Sequence, residues 1–264
     1  MSRLPHHRRP APRRQRGVTL IELLVSMGIA MFLLGGLLVI VQNTRSTFGS
    51  QNQLAQLQDS ERLAMSLIGD VIQSAGYFPD PTTNTAASAM PADALFPVAG
   101  QPLVGAHQAA APHDAIAVRY MTANNDGVIN CTGGTNTSGA NQLYENLFAI
   151  DANGNLVCSL NGNPPQILIA GPIVNGVQLP AITDLQVYYG VQTNTALGNG
   201  AVDSYLKANE MTAANWGNVI AVKIILFFTN PLAAQAGQPA TPGQPATIRV
   251  ERVVAVMNRA GVKT

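Results

Sequence analysis

The feature that most constrains the fold is an unbroken apolar run from Val18 to Val41, VTLIELLVSMGIAMFLLGGLLVIV. As one α-helix, a run of this length is long enough to cross the roughly 30 Å hydrocarbon core of a membrane. It contains one ionisable residue, Glu22, close to its start. A cleaved secretory signal has a shorter apolar core and a small-residue cleavage site after it, so this run predicts a helix that is retained.

The residues before this run are strongly basic. Residues 1–17 contain six Arg and no acid, which leaves nine of the 15 Lys and Arg against all 14 Asp and Glu in the remainder. A basic flank followed at once by an apolar helix is typical of membrane targeting, and the cationic end stays in the cytoplasm. We therefore expect the part after the helix to lie outside the cytoplasm. Its acidic balance argues against a broad electrostatic surface for nucleic acid.

The helical pattern continues beyond the apolar run. Residues 42–53 are polar, and apolar residues then recur at spacings of three and four, which predicts an amphipathic helix facing a core. Glu61 interrupts this stripe, whose other members are Leu54, Leu57, Ala64, Leu67, Ile68, Val71, Ile72 and Ala75. Gly76 is a suitable helix C-cap, and prolines at 79 and 81 prevent continuation. We predict one helix from residue 18 to residue 75.

The periodicity changes after residue 76. Residues 79–113 are rich in Pro, Ala and Thr and predict a long surface loop. A turn at Asn153-Gly154 predicts a hairpin, and residues 231–246, which contain GQPATPGQPAT, predict a polar loop. Apolar and β-branched segments predict strands at Ala115–Met121, Leu147–Asp151, Leu156–Leu160, Ile167–Ala170, Leu185–Val191, Val219–Phe228 and Thr247–Met257. The predicted class is α+β, with a long N-terminal helix whose second half packs on an antiparallel β-sheet head.

Cys131 and Cys158 are the two cysteines of the chain. Their spacing matches no zinc-binding pattern. An even number of cysteines in an extracytoplasmic domain favours one disulfide, which here closes a loop of roughly 28 residues. Two separate buried thiols are the alternative.

The stretch from Arg16 to Val25, RGVTLIELLV, resembles the processing site of type IV prepilins and type II secretion pseudopilins. In that superfamily a membrane enzyme, the prepilin peptidase, cleaves after the glycine and methylates the new amino terminus. The resemblance implies cleavage between Gly17 and Val18 and N-methylation of Val18. This chain differs in having Val18 where the superfamily usually has Phe. A glycine suits the cut because it has no Cβ to clash when the chain lies extended in a protease site.

Glu22 becomes the fifth residue of the chain that such a cut produces. A carboxylate inside a membrane helix costs roughly 2.5–3.5 kcal/mol on insertion scales, and such residues are functional by default. The resemblance implies that Glu22 pairs with the amino terminus of a neighbouring subunit during assembly. The alternative is that it lies near the membrane interface and reaches water.

Three stretches of the head resemble the PilW minor pilins, namely Ile182–Val191, Asn215–Leu226 and Val253–Asn258. The absence of Pro from the membrane helix also fits a minor pilin. The resemblance implies a pilin-like fold with a disulfide in the head between Cys131 and Cys158. It divides the chain into a cleaved leader at 1–17, a transmembrane and filament-core helix at 18–41, an amphipathic continuation at 42–76 and a β-rich extracytoplasmic head at 77–264.

The implied function is that of a minor pilin, a structural and assembly-priming subunit of a type IV pilus. Its implied partners are the prepilin peptidase, other minor pilins, the major pilin and the inner-membrane assembly platform. The chain is expected in the inner membrane with its head in the periplasm, and later in the pilus at the cell surface. The alternatives are a minor pseudopilin of type II secretion, a tip adhesin or DNA-uptake module, and a membrane-anchored protein that never enters a filament.

The remaining candidate residues predict neither catalysis nor a metal or cofactor site. The histidines, His6, His7, His107 and His113, lack partners at catalytic spacing. A calcium loop starting at Asp151 needs a glutamate at its twelfth position, where this chain has Gly162, so a hairpin turn is the better interpretation. Aromatic residues that border strands, Tyr188, Tyr189 and Trp216, are predicted to be core. We therefore predict that the protein is not an enzyme.

Overall fold

The computed structural model describes residues 17, 19–107, 113–171, 173–174, 177–194, 200–233 and 245–257. Its helices are α1 (Leu20–Gln73), α2 (Ala86–Ala89) and α3 (Ala213–Trp216), with a 3-10 turn at Ala208–Glu210. Its strands are β1 (Leu103–Ala106), β2 (Ala115–Thr122), β3 (Gln142–Ile150), β4 (Leu156–Leu160), β5 (Gln166–Ile169), β6 (Ile173–Val174), β7 (Val177–Gln178), β8 (Ile182–Val191), β9 (Ser204–Leu206), β10 (Val219–Thr229) and β11 (Thr247–Ala255). The α+β class predicted from the sequence is confirmed.

The first helix, α1, is continuous, as its two successive patterns predicted. Its first part lies in a unit that extends to Gln51, and its second part belongs to the head unit, which starts at Asn52. Gly76 follows the helix with φ +74°, a left-handed conformation that favours glycine and ends a helix. The amide of Gly76 donates to the carbonyl of Arg119 at 3.0 Å, so the chain that leaves α1 runs alongside β2.

The head contains two main antiparallel sheets and a two-stranded ribbon of β6 and β7. One sheet has five strands in the order β1-β2-β3-β4-β5, and the other has four in the order β11-β10-β8-β9. All seven predicted strands exist, but β3 begins at Gln142 rather than Leu147, and the sequence did not predict β1, β6, β7 and β9. The turn predicted at Asn153-Gly154 joins β3 to β4, and Gly154 there has φ +74°.

One hydrophobic core unites the second part of α1 with both sheets. The predicted stripe supplies its fully buried members Ala64, Ile68, Val71, Ile72 and Ala75. They pack with residues of the five-stranded sheet such as Ile116 and Phe148, and with residues of the four-stranded sheet such as Val222 and Leu226. Burial of this stripe removes apolar surface from water and fixes the helix on the sheets.

Residues 79–113 are not a long surface loop, and this prediction is wrong. The segment contains α2 and β1, and its side chains Met90, Phe96 and Leu103 are buried. The cause is a remote residue, Arg119 on β2, whose side chain is fully buried beneath the segment. Its guanidinium donates to the carbonyls of Pro91, Val98 and Gln101 and to the Asp93 carboxylate, at 2.5–2.9 Å. A local sequence pattern cannot reveal that this segment has a fixed conformation, because the donor that holds it lies far away in the sequence.

The two main sheets are joined where β2 begins. The amide of Asp114 donates to the carbonyl of Leu185 at 2.8 Å, and the amide of Val187 donates to the Asp114 carboxylate at 2.9 Å. His107 lies 2.5 Å from the other carboxylate oxygen of Asp114. Most of the predicted polar loop at 231–246 falls on residues 234–244, which lie outside the described residues.

Candidate processing and assembly site

The helical conformation starts at Leu20, three residues after Gly17, where cleavage is predicted. The amides of Glu22 and Leu23 donate to the carbonyl of Thr19 at 3.1 and 3.2 Å, which forms the first helical turn. Gly17 is exposed, and a Cβ placed on it would meet no atom within 4 Å. Val18 and the leader, including His6 and His7, lie outside the described residues. Gly17 is therefore exposed and not helical among the described residues.

Glu22 lies in the first turn of α1 with its side chain exposed. Among the described residues, no hydrogen bond or ion pair of its carboxylate is found. The partial positive charge of a helix amino terminus favours a carboxylate at this place. The Glu22 carboxylate is thus a hydrogen-bond acceptor that no described side chain of the protein contacts through a hydrogen bond or ion pair.

The first part of α1 exposes apolar side chains on every side. Exposure of its large hydrophobic residues ranges from 40 % at Val41 to 82 % at Phe32. The helix is long and apolar enough to cross a membrane, with a mean hydropathy of 2.6 over its most apolar window, none of which is buried. A helix that is hydrophobic all round is stable only in lipid or among apolar neighbours.

Cys131 and Cys158 form a disulfide with their Cα atoms 6.2 Å apart, and both residues are fully buried. The bond links the loop after β2 to β4. The amide of Cys131 also donates to the side-chain oxygen of Asn146 on β3 at 2.8 Å, and the Asn146 amide group donates to the carbonyl of Val118 on β2 at 3.2 Å. The disulfide and the buried Asn146 therefore fix the same loop on three adjacent strands.

Burial shapes the electrostatics around Arg119. It lowers the pKa of the Arg119 guanidinium, although the Asp93 and Glu145 carboxylates partly offset this effect. Burial raises the pKa of Glu145, and its contact with Asp93 adds to the rise. Burial also raises the pKa of Asp93, but hydrogen bonds from the backbone amides of Phe96 and Leu95 outweigh it and place the pKa below its usual range. This cluster has a structural role because its groups bind one another.

The aromatic residues predicted to be core separate into two environments. Tyr189 is fully buried and contacts Trp216 edge to face, with ring centroids 4.7 Å apart. Tyr188 is only half-buried, with the ammonium groups of Lys207 and Lys223 at 5.5 and 4.8 Å from its ring centroid. The sequence did not reveal this lysine–tyrosine contact, because strand pairing brings together residues that lie up to 35 positions apart.

Two family models match the chain. The model described as Type IV Pilus-assembly protein W matches residues 134–257, and the Prokaryotic N-terminal methylation motif matches residues 12–38. No curated protein matches the chain. Among solved structures, it is similar to a type IV-like pilin, TTHA1219 from Thermus thermophilus, at 15 % identity and a TM-score of 0.42, over 78 % of this chain and 97 % of that chain.

The methylation motif and the apolar helix that it overlaps support a type IV pilin and favour anchoring in a membrane through this helix. Over its head the chain is similar to the PilW family, and the two matches together support a minor pilin of the type IV pilus. The match over the head favours this identity over a type II secretion pseudopilin. Pilins are structural proteins rather than enzymes.

Proposed function

We propose that the chain is made as an inner-membrane precursor whose leader is removed between Gly17 and Val18 by a prepilin peptidase, which then methylates Val18. The observation that carries the proposal is the order of features at the start of α1: an exposed glycine, a carboxylate at Glu22 with no partner among the described residues, and an apolar surface exposed on all sides. A substrate of a membrane peptidase needs a non-helical site beside a membrane helix, and the irregular conformation of Gly17 supports this role.

The precursor has its leader in the cytoplasm and its head in the periplasm. Six arginines in residues 1–17 support this orientation, because positive flanks remain on the cytoplasmic side. The disulfide between Cys131 and Cys158 is consistent with the same side, since disulfides persist in oxidising compartments such as the periplasm. Residues 18–41 form the membrane-spanning segment, residues 42–76 continue the helix, and residues 77–264 form the head.

After cleavage, the apolar part of α1 leaves the lipid and packs among the helices of other pilins. Glu22 then pairs with the amino terminus of a neighbouring subunit, because two charges in an apolar filament core are tolerated only as a pair. In this role the protein is a structural subunit that primes pilus assembly. It has no enzyme activity of its own, and its partners are other minor pilins, the major pilin and the inner-membrane assembly platform.

A substitution at Glu22 tests the pairing. Glu22→Gln keeps the size of the side chain but removes its charge, so insertion and cleavage are expected to stay normal. Incorporation into filaments is expected to fall by roughly a hundredfold, because the partner ammonium loses its counter-charge in an apolar site. The measurement is the ratio of this protein in sheared filaments to that in membranes of the native bacterium.

Asp59→Asn is the matched control, because Asp59 is an exposed carboxylate on the same helix beyond the apolar part. It is expected to incorporate like the unaltered protein. Normal incorporation of Glu22→Gln would contradict the charge-pairing proposal.

A further inference from the structure

Side chains with nitrogen or oxygen atoms are rare in the apolar part of α1. From Leu20 to Val41 only Glu22 and Ser26 carry such atoms. Residues four apart lie one above the other on the same helix face, with Cβ atoms about 5–6 Å apart. The two acceptors therefore form one polar spot on an otherwise hydrocarbon surface, and both side chains are exposed.

The hydroxyl of Ser26 is already oriented by the helix. It donates its proton to the carbonyl of Leu23 at 2.9 Å. With this proton used, the oxygen presents lone pairs rather than a donor to the outside. Ser26 thus acts as a hydrogen-bond acceptor beside the Glu22 carboxylate.

The back-bond alone does not make Ser26 special. Thr44, Thr47 and Ser50 donate in the same way to carbonyls four residues earlier, at 2.8–3.1 Å. Those residues lie in the polar stretch 42–53, where water satisfies their remaining lone pairs. Ser26 differs because its surroundings on α1 are apolar and because a carboxylate lies one turn away.

We propose that Ser26 is a positioning residue for assembly. The N-terminal ammonium group of the neighbouring pilin pairs with Glu22 and donates its second hydrogen bond to the hydroxyl oxygen of Ser26. This inference rests on the proposed pairing of Glu22. A singly methylated ammonium retains two N–H donors. One bonds to the carboxylate of Glu22 and the other bonds to the oxygen of Ser26, so neither donor is left unpaired in an apolar core.

The partner is identified by its chemistry. The polar spot consists of one negative and one neutral acceptor with no donor directed outward, so it fits a small cation with two donors. A mature pilin amino terminus is such a group, and in a filament it arrives on a helix as apolar as the surface around Ser26. A guanidinium or a lysine side chain on a water-exposed surface lacks this apolar complement.

The test compares Ser26→Ala, Ser26→Thr and Ser50→Ala in the full-length chain in its native bacterium. Ser26→Ala is expected to lower incorporation into sheared filaments roughly tenfold, the effect of one hydrogen bond to a charged group. Ser26→Thr keeps the hydroxyl and is expected to incorporate normally. Ser50→Ala, the matched control, removes an equivalent back-bond outside the apolar part and is expected to have no effect.

Mass spectrometry of the membrane fraction distinguishes assembly from earlier steps. Leader removal and N-methylation are expected to be complete in Ser26→Ala. Reduced insertion, cleavage or methylation in this variant would overturn the inference, since Ser26 would then act before assembly.

A double substitution tests whether the two residues bind one group. In the Glu22→Gln background, adding Ser26→Ala is expected to lower incorporation by less than about twofold, because the ammonium is already lost from the site. A further loss of incorporation of about tenfold would overturn the inference by showing that Ser26 acts independently of Glu22.

The single substitutions separate the two proposals. Normal incorporation of Ser26→Ala beside a defective Glu22→Gln would overturn the role of Ser26, while leaving the charge pairing intact. Normal incorporation of Glu22→Gln would overturn both.

Discussion

The two parts of α1 contrast in how their apolar residues are used. From Leu20 to Val41 every side chain is exposed, whereas from Ala64 to Ala75 one face is buried in the head. Both parts are helical, so the difference lies in the distribution of apolar side chains around the helix. The first part needs an apolar environment, and its side chains find none within its own unit among the described residues, whereas the second part packs in the core of the head.

The stability of the head and the environment of the apolar helix are therefore separate requirements. The head is stabilised by its own core, by the hydrogen bonds of the buried Arg119 and by its disulfide. The apolar part is suited to lipid and, in the proposed assembly, to the helices of other pilins. Substitutions in the two parts are therefore expected to affect different measurements.

The largest expected effect on stability comes from the buried face of α1. Ile72→Ala removes a fully buried side chain and is expected to lower the free energy of unfolding of the head by about 4 kcal/mol. Ile29→Ala, the matched control, changes a side chain that is 55 % exposed and is expected to leave that free energy unchanged. Denaturant unfolding of the detergent-solubilised chain measures both. Equal losses from the two variants would contradict the contrast.

Arg119→Met tests whether the head depends on its buried cation. The variant leaves the carbonyls of Pro91, Val98 and Gln101 without their donor, and we expect a loss of about 3 kcal/mol. Arg249→Met is the control, because Arg249 pairs with Glu251 on the surface and such pairs contribute about 0–1 kcal/mol. Thermal unfolding followed by near-UV circular dichroism compares them. A similar small loss from both would show that residues 79–107 do not depend on Arg119.

The disulfide is expected to contribute less than the buried cation. Replacing both Cys131 and Cys158 by Ser is expected to lower the free energy of unfolding of the head by about 2 kcal/mol, because the unfolded chain gains freedom. Membrane insertion and leader removal are expected to be unchanged, since both depend on the first part of the chain. Two free thiols in the unaltered, denatured protein under non-reducing conditions would contradict the disulfide.

The smallest expected effect is a pH dependence at the β3–β4 turn. Slight burial raises the pKa of Asp151, but hydrogen bonds from Asn155 and from the amide of Asn153 outweigh it and place the pKa below its usual range. A lowered pKa in the folded state stabilises the protein above the unfolded-state pKa, and this contribution disappears as the pH falls through the folded-state pKa. Solvent screening limits it to less than about 1 kcal/mol. Asp151→Asn is expected to remove it, which unfolding at neutral and acidic pH would measure. An unchanged pH dependence would contradict this role.

The elements that were predicted correctly are those that local patterns specify. The apolar run, the stripe at spacings of three and four and the glycine at 76 defined α1 to within two residues at each end. Strands β4 and β10 were also located to within one residue. Local propensity and side-chain periodicity suffice for such elements because their apolar residues recur within one continuous segment of the sequence.

The elements that were missed depend on remote residues. β1 has only four residues and pairs with β2. The conformation of residues 79–107 depends on hydrogen bonds from Arg119. The way the two sheets are joined depends on contacts such as the hydrogen bond between Asp114 and Val187, which lie 73 residues apart. At the processing site, Gly17 and Glu22 were recognisable from the motif, whereas the orientation of the Ser26 hydroxyl required the helix geometry.

Mass spectrometry of the mature protein from native filaments tests the central claim most directly. The account predicts a chain that begins at Val18 with one methyl group on its amino terminus and that contains no leader. A chain that retains residues 1–17, or one that begins at any other residue, would contradict it.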